Sequence, residues 1–179
     1  MKIVASRQVY ACSLFRVTED EAKDSSGFEI KRCIVHHPGS AVMMAIDSKD
    51  RVLLVRQYRL PAEKNLWELP AGKMDEGEKP LQAAKRELRE ETGYTARNWK
   101  KLLSFYPSPG YVGEKMTIFV ATGLEEGPAE PMDDERIETR WFSTQQLDAM
   151  LRSNQVIDGK TMIGFMAWQR FYGRKRRTR

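Results

Sequence analysis

The pattern of apolar and polar positions changes period several times along the chain. The first 60 residues read as strands. Residues 9–17 and 28–35 are β-rich runs flanking a polar turn, Lys23-Asp24-Ser25-Ser26-Gly27. Residues 41–46 and 52–58 form a second pair around Asp47-Ser48-Lys49-Asp50. A short strand, Leu66-Trp67-Glu68-Leu69, leads into Pro70-Ala71-Gly72. From Pro80 to Thr92 the apolar residues Leu81, Ala84 and Leu88 recur at three- and four-residue spacing, which predicts one buried helix face. Pro80 suits the first turn of that helix, and Gly93 is placed to stop it. Strands are expected again at 99–106, 116–122 and 137–142. Ser143 with Gln146 reads as a capping box opening a helix through Leu151. A last helix over 160–172 carries Met162, Phe165, Met166, Trp168 and Phe171 as core or interface positions. Mainly antiparallel strands with few helices indicate the α+β class.

Composition and charge narrow the function classes. With 41% hydrophobic and 31% charged residues, the 179-residue chain has enough apolar material for one domain with its own core. The net charge of +5 hints at an anionic partner, but Arg174-Lys175-Arg176-Arg177-Thr178-Arg179 holds five of the thirty basic residues. The remainder carries 25 basic against 25 acidic residues, so a neutral body ends in a basic tail. That tail reads as a solvated terminus before it reads as a nucleic-acid contact. Residues 1–7 show no apolar signal segment, and no run approaches the about 20 apolar residues of a membrane helix. Cys12 and Cys33 lack metal-ligand spacing and are expected as small buried residues in a reduced, cytoplasmic setting. His36 and His37 have no acidic neighbour in sequence and are expected to be structural or exposed.

Candidate chemistry concentrates between Gly72 and Tyr94. On a helix, Glu87 and Glu91 stack four apart, with Glu90 alongside, on a side expected to look outward from the core. Like charges at that spacing destabilise a helix by roughly a few tenths of a kcal/mol. The late turns also face the negative end of the helix dipole. Arg86 can offset one charge by reaching Glu90, and a hard divalent cation offsets the rest. A solvated acidic face is the usual reading of such a trio taken alone. The residues around it decide otherwise: nine fixed positions would match by chance with a probability on the order of 10⁻⁷.

Gly72-x5-Glu78-x7-Arg86-Glu87-Leu88-x-Glu90-Glu91-x-Gly93-Tyr94 resembles a complete Nudix box, with no position departing from the pattern. The resemblance implies the Nudix fold, a mixed sheet between helices, here with an N-terminal antiparallel strand region. Residues 1–40 would form that region, 41–172 the hydrolase domain and 173–179 the tail. It implies hydrolysis of a nucleoside diphosphate linked to another moiety, with Mg²⁺ (or Mn²⁺) held by Glu87, Glu91 and the Ala71 carbonyl. By the same resemblance Glu90 adds to the cluster, Arg86 orients the glutamates, and Glu78 and Gly72 shape the loop–helix turn.

Outside the box, Val55-Arg56-Gln57-Tyr58-Arg59, Trp67-Glu68-Leu69-Pro70-Ala71-Gly72 and Ser108-Pro109-Gly110 resemble ADP-ribose pyrophosphatases; Pro109 lies fifteen residues after Tyr94. ADP-ribose, cleaved to AMP and ribose 5-phosphate, is the expected substrate. Arg56, Arg59, Pro109 and Glu114 are the candidate substrate contacts. Arg56 and Arg59 are three apart, so at most one of them faces the site in a regular strand. Trp67 and Tyr106 are candidates for stacking on adenine, and also for core or interface. The general base is expected in the acidic stretch 131–136, with Glu135 first, Asp133 second and Glu114 third. Similar proteins exchange their N-terminal strands to form homodimers, so a homodimer is expected, with no membrane partner. The alternatives are a Nudix hydrolase of another nucleotide sugar, and a non-catalytic nucleotide- or RNA-associated Nudix protein using the basic tail.

Overall fold

A computed structural model describes residues 1–129 and 136–172. The architecture is organised by β4 (Ser40–Ala45), whose six residues are all buried. Its alternate side chains point to opposite faces, as any strand's must. Ala41, Met43 and Ala45 enter one apolar cluster with Ala83, Ala84 and Leu88 of helix α1 (Pro80–Thr92). Val42 and Met44, with Ile46 beyond the strand, enter a second cluster with Phe165 and Trp168 of helix α3 (Gly159–Tyr172). A strand covered on both faces needs a continuous apolar run rather than alternation, and Ala-Val-Met-Met-Ala provides it.

In its sheet β4 runs parallel to β9 (Met116–Glu126) and antiparallel to β7 (Ala71–Lys73), and β8 (Tyr94–Phe105) pairs with β9 at the edge. The register Val42↔Ala71, Ala41↔Gly72 and Ser40↔Lys73 pins the start of the box against the most buried strand. A second sheet is ordered β10 (Glu138–Ser143), β5 (Arg51–Arg59), β6 (Lys64–Glu68). The third holds β1 (Lys2–Ala11), β2 (Arg16–Lys23) and β3 (Glu29–His36) as an antiparallel meander.

Two sequence expectations need correction here. The run 9–17 is not one strand but the end of β1, a turn, and the start of β2; the turn closes through the Cys12 amide on the Phe15 carbonyl at 2.9 Å. The segments 41–46 and 52–58 do not form a hairpin ladder, because β4 and β5 belong to different sheets and share only the bridge Ile46↔Val52.

The helices start and stop where the sequence indicated. α1 opens at Pro80, with the Gln82 side chain accepting the Lys79 amide at 3.0 Å. It ends at Gly93, whose φ of 75° is left-handed and whose amide reaches the Arg89 carbonyl. A Cβ on Gly93 would also lie 2.3 Å from the Gly127 carbonyl oxygen, so conformation and space both require glycine. Leu81, expected inside, is 36% exposed, and Ala83 takes its place; two adjacent alanines let the helix lie close to the sheet. Helix α2 (Thr144–Arg152) carries the expected Ser143/Gln146 capping box. Both cysteines are exposed rather than buried, Cys12 in the first turn and Cys33 on β3 opposite Glu19. Among the described residues no helix is long and apolar enough to cross a membrane.

On α3 only part of the apolar set is inside. Phe165 and Trp168 are stacked in the core at 6.1 Å, whereas Met166 and Phe171 are each 57% exposed. Phe165→Ala should therefore cost about 3–5 kcal/mol, a drop in Tm on the order of 10 °C. Phe171→Ala should stay within about 0.5 kcal/mol. Thermal unfolding of the two variants checks this packing; equal losses would contradict it.

Candidate active site

The site is built around one guanidinium. Arg86, on α1, donates from Nε to Glu78 Oε1 at 3.1 Å and from Nη2 to Glu78 Oε2 at 3.0 Å. Its Nη1 donates to Glu87 Oε1 at 2.6 Å and to Glu90 Oε2 at 3.0 Å, and Nη2 reaches the Lys73 carbonyl at 3.0 Å. The fork on Glu78 ties the loop ahead of the helix to its second turn. Glu78 in turn accepts the Asp75 amide at 3.0 Å, which tightens that loop. The same guanidinium holds the Glu78 carboxyl below its ordinary range, and Glu78, with Glu87 and Glu90, pushes Arg86 well above the usual arginine value. The three carboxylates hydrogen-bonded to this guanidinium carry two more negative charges than it neutralises, and Asp75 adds a fourth carboxylate at 3.8 Å.

Glu87 and Glu91 turn toward β7. A Cβ on Gly72 would stand 1.9 Å from Glu87 Cδ and 2.1 and 2.3 Å from its two oxygens. The carboxylate thus lies in the space that any other residue at 72 would fill. Glu91 Oε2 accepts the Ala71 amide at 3.2 Å, and Glu91 is only 5% exposed. The acidic side of the helix therefore does not look outward, as the spacing suggested; it faces the Ala71–Gly72 backbone.

A second charged group borders this helix. Arg59 grips Glu68 with both ends of its fork, Nε to Oε1 at 2.9 Å and Nη2 to Oε2 at 2.8 Å. Lys160, from the first turn of α3, also donates to Glu68 Oε2, and to Asp158 Oδ1 at 3.0 Å. Burial alone would raise the Glu68 carboxyl; the Arg59 hydrogen bonds and the Lys160 charge more than offset it and hold it below the ordinary value. Glu68 holds the Arg59 guanidinium in its charged form, and the field of Glu91 adds to that hold. Arg56 lies on the opposite face of β5: it pairs with Glu138 at 3.4 Å and sits over the Trp67 ring at 5.9 Å. Of the two arginines, Arg59 is the one on the Glu68 face, where the charge of Glu91 also reaches it.

Glu114 accepts the Ser40 hydroxyl at 2.5 Å and lies 3.8 Å from His37 Nδ1. Ser40 pairs with Lys73, next to Gly72, so Glu114 stands at the same end of the sheet as Glu87. His37, which had no acidic neighbour in sequence, has one in space. Burial lowers its pKa against the opposing pull of Glu114. Its Nδ1 accepts the Gly39 amide at 3.0 Å. His36 shares a 2.8 Å hydrogen bond with Thr18. Pro109 is exposed, on a loop docked to β3 through the Val35 and Tyr111 backbones. Trp67 packs edge-on against Phe142 at 5.0 Å, and Tyr106 is exposed. Glu135 and Asp133, with the tail 173–179, lie outside the described residues.

Residues 35–163, 129 of 179 positions, match the NUDIX domain family. The chain belongs to that family. It is 35% identical to the ADP-ribose pyrophosphatase of Bacillus subtilis (strain 168) over 162 residues, 89% of this chain and 88% of that protein. It is 34% identical to the methanol dehydrogenase activator of Bacillus methanolicus over 164 residues, 90% and 89% of the two chains. The crystal structure of an ADP compounds hydrolase matches with a TM-score of 0.83 over 99% of this chain and 97% of that one; at 22% identity this shows a shared fold. The α+β Nudix fold read from the sequence is the one observed.

Nudix hydrolases generally use divalent metal ions. Among the described residues no three Asp, Glu, His or Cys side chains converge as a ready-made ligand set. The two glutamates nonetheless converge on one stretch of backbone, and two carboxylates with a carbonyl form the all-oxygen donor set that Mg²⁺ or Mn²⁺ takes. The residues fit the ion.

The Gly72 cradle makes a sharp prediction. The three atoms nearest an added Cβ all belong to the end of the flexible Glu87 side chain, so Gly72→Ala is expected to displace Glu87 rather than the sheet. Its Tm should move by less than about 4 °C, while Mn²⁺ affinity falls about tenfold or more. Calorimetric titration with Mn²⁺ beside a thermal melt measures both; unchanged affinity would refute the cradle.

Proposed function

We propose that this chain hydrolyses the pyrophosphate bond of ADP-ribose, yielding AMP and ribose 5-phosphate. The observation that carries the reading is the convergence of Glu87 and Glu91 on the Ala71–Gly72 backbone under the hold of Arg86. The two relatives differ in name at nearly equal identity, so identity alone does not choose the substrate. The charged groups around the glutamates support a diphosphate. Arg59 places a guanidinium beside an acidic helix, and a fixed fork suits phosphate oxygens better than a flexible ammonium does.

Glu87, Glu91 and the Ala71 carbonyl would hold the metal, which supplies Lewis acidity to the diphosphate and its attacking water. The remaining work falls to the chain itself. Arg86 keeps Glu87 and Glu90 apart from solvent-driven rearrangement and fixes their oxygens relative to Gly72. Arg59 binds and orients the diphosphate through Nη1, the one guanidinium nitrogen that Glu68 does not engage. Water that attacks phosphorus must lose its proton to a group within hydrogen-bond reach. Glu135 is the first candidate for that base and Asp133 the second. Glu114, third in order, has one oxygen engaged by Ser40. Pro109 lies on the loop that leads to Glu114 and would border the nucleoside.

Residues 1–40 are proposed as a dimerising unit attached to a hydrolase domain over 41–172. Every residue of β1 is exposed, including Ile3, Val4, Val9 and Tyr10. A sheet that leaves such residues in water is better satisfied by burial against a second copy. A homodimer would also bring groups from one subunit near the other's nucleotide.

Release of AMP from ADP-ribose in the presence of Mg²⁺ tests the reading. Wild-type protein should turn over, chelation of the metal should stop it, and Glu87→Gln and Glu91→Gln should each lower kcat by about 100-fold or more. Undiminished turnover in Glu91→Gln would overturn the assignment.

A further inference from the structure

Glu68, Lys160 and Asp158 belong to no part of the Nudix box, yet Glu68 is the most buried charged residue among the described residues. Glu68 is 1% exposed and Lys160 7%. A carboxylate is kept in such a place only when it is paired and hydrogen-bonded. Here it carries two cations, Arg59 through a fork and Lys160 through a single bond. Lys160 itself sits in the first turn of α3, where the helix dipole disfavours positive charge. Asp158 compensates. Its Oδ1 accepts from Lys160, while Oδ2 takes the Thr161 amide at 2.9 Å and the Thr161 hydroxyl at 2.6 Å. The Thr161 hydroxyl oxygen then accepts the Leu69 amide at 2.7 Å, two residues before Ala71.

The arrangement has a directional consequence. Val55, Gln57 and Arg59 share one face of β5, and Glu68 pairs with Val55 across the ladder, so Arg59 and Glu68 meet on that face. Arg59 is 40% exposed at its side chain, in contrast to the buried groups behind it. The field of the Glu91 carboxylate also reaches this guanidinium.

We propose that Glu68 is a positioning residue for Arg59: its buried carboxylate, anchored by Lys160 and Asp158, aims the guanidinium at the substrate diphosphate. This rests on the reading of Arg59 as a diphosphate-binding group. Lys160 supplies the counter-charge that lets Glu68 stay ionised beneath the site, and the Asp158–Thr161 cap couples that anchor to the strand entering Ala71. Two of the three guanidinium nitrogens are turned to Glu68, which leaves Nη1 for phosphate oxygens.

A double-mutant cycle on ligand binding tests it. The dissociation constant of the non-hydrolysable α,β-methylene analogue of ADP-ribose is measured calorimetrically with Mg²⁺ for wild type, Arg59→Ala, Glu68→Gln and the double variant. Each single change should weaken binding by about 10–100-fold, and the double variant should be no more than about threefold weaker than Arg59→Ala. A fall in Tm for Glu68→Gln is expected from burial alone and decides nothing, which is why the cycle reads affinity. Should Glu68→Gln fail to fold, Glu68→Asp takes its place: it keeps the charge but is too short to hold both ends of the fork, and the same outcomes apply. Losses that multiply in the double variant, or unchanged affinity in Glu68→Gln beside weakened binding in Arg59→Ala, would overturn the inference and leave the assignment of Arg59 standing. Unchanged affinity in Arg59→Ala would overturn both.

Discussion

Arg86 sits where four parts of the fold meet: a helix, the loop ahead of it, a strand end and a cluster of acids. Its guanidinium bonds Glu78, Glu87, Glu90 and the Lys73 carbonyl at once. Carboxylates so crowded repel one another by several kcal/mol at the effective dielectric of a protein surface, on the order of 4 kcal/mol per pair at 4 Å. A single cation fixed among them converts that repulsion into a defined arrangement. It also leaves negative charge in excess, and the excess has a place to go. The Glu87 carboxylate is lodged against the bare Cα of Gly72, and Glu91 against the Ala71 amide. The box is therefore less a list of ligands than a charge-balancing device, in which arginine supplies part of the neutralisation and leaves the remainder for a divalent ion.

The rest of the fold holds that device still. β4 is buried on both faces, with α1 packed against one and α3 against the other. Because β7 pairs with β4, the backbone at Ala71 and Gly72 inherits the rigidity of the core. Ala83 and Ala84 bring α1 close enough for its glutamates to reach that backbone. The α3 side contributes through Thr161 and Leu69, so both helices act on the same short segment. Charge, packing and register thus converge on Leu69, Ala71 and Gly72.

Much of this was legible in the sequence, for identifiable reasons. The helix 80–92 and its stop were readable because proline, glycine and a 3.6-residue period act locally. The capping box at Ser143 was readable for the same reason. The turn between β1 and β2 was not, since Cys12-Ser13-Leu14-Phe15 has neither glycine nor proline to announce it. Period alone shows that 41–46 and 52–58 are strands but not which strands they pair with, and here they separate into different sheets. The Arg59–Glu68–Lys160 group was missed because its members are 9 and 92 residues apart. Its one local signal was a glutamate inside the apolar run Leu66-Trp67-Glu68-Leu69, which a buried strand tolerates only with a partner. Leu81 shows the opposite error: helical spacing marks a face, but only packing decides how wide the buried stripe is.

The most direct test of the account is the anomalous diffraction signal of crystals grown with Mn²⁺. The account places the signal among the Glu87 and Glu91 carboxylates and the Ala71 carbonyl, with Arg86 still forked on Glu78. A signal bound elsewhere, or an Arg86 that must leave Glu78 for the ion to enter, would contradict it.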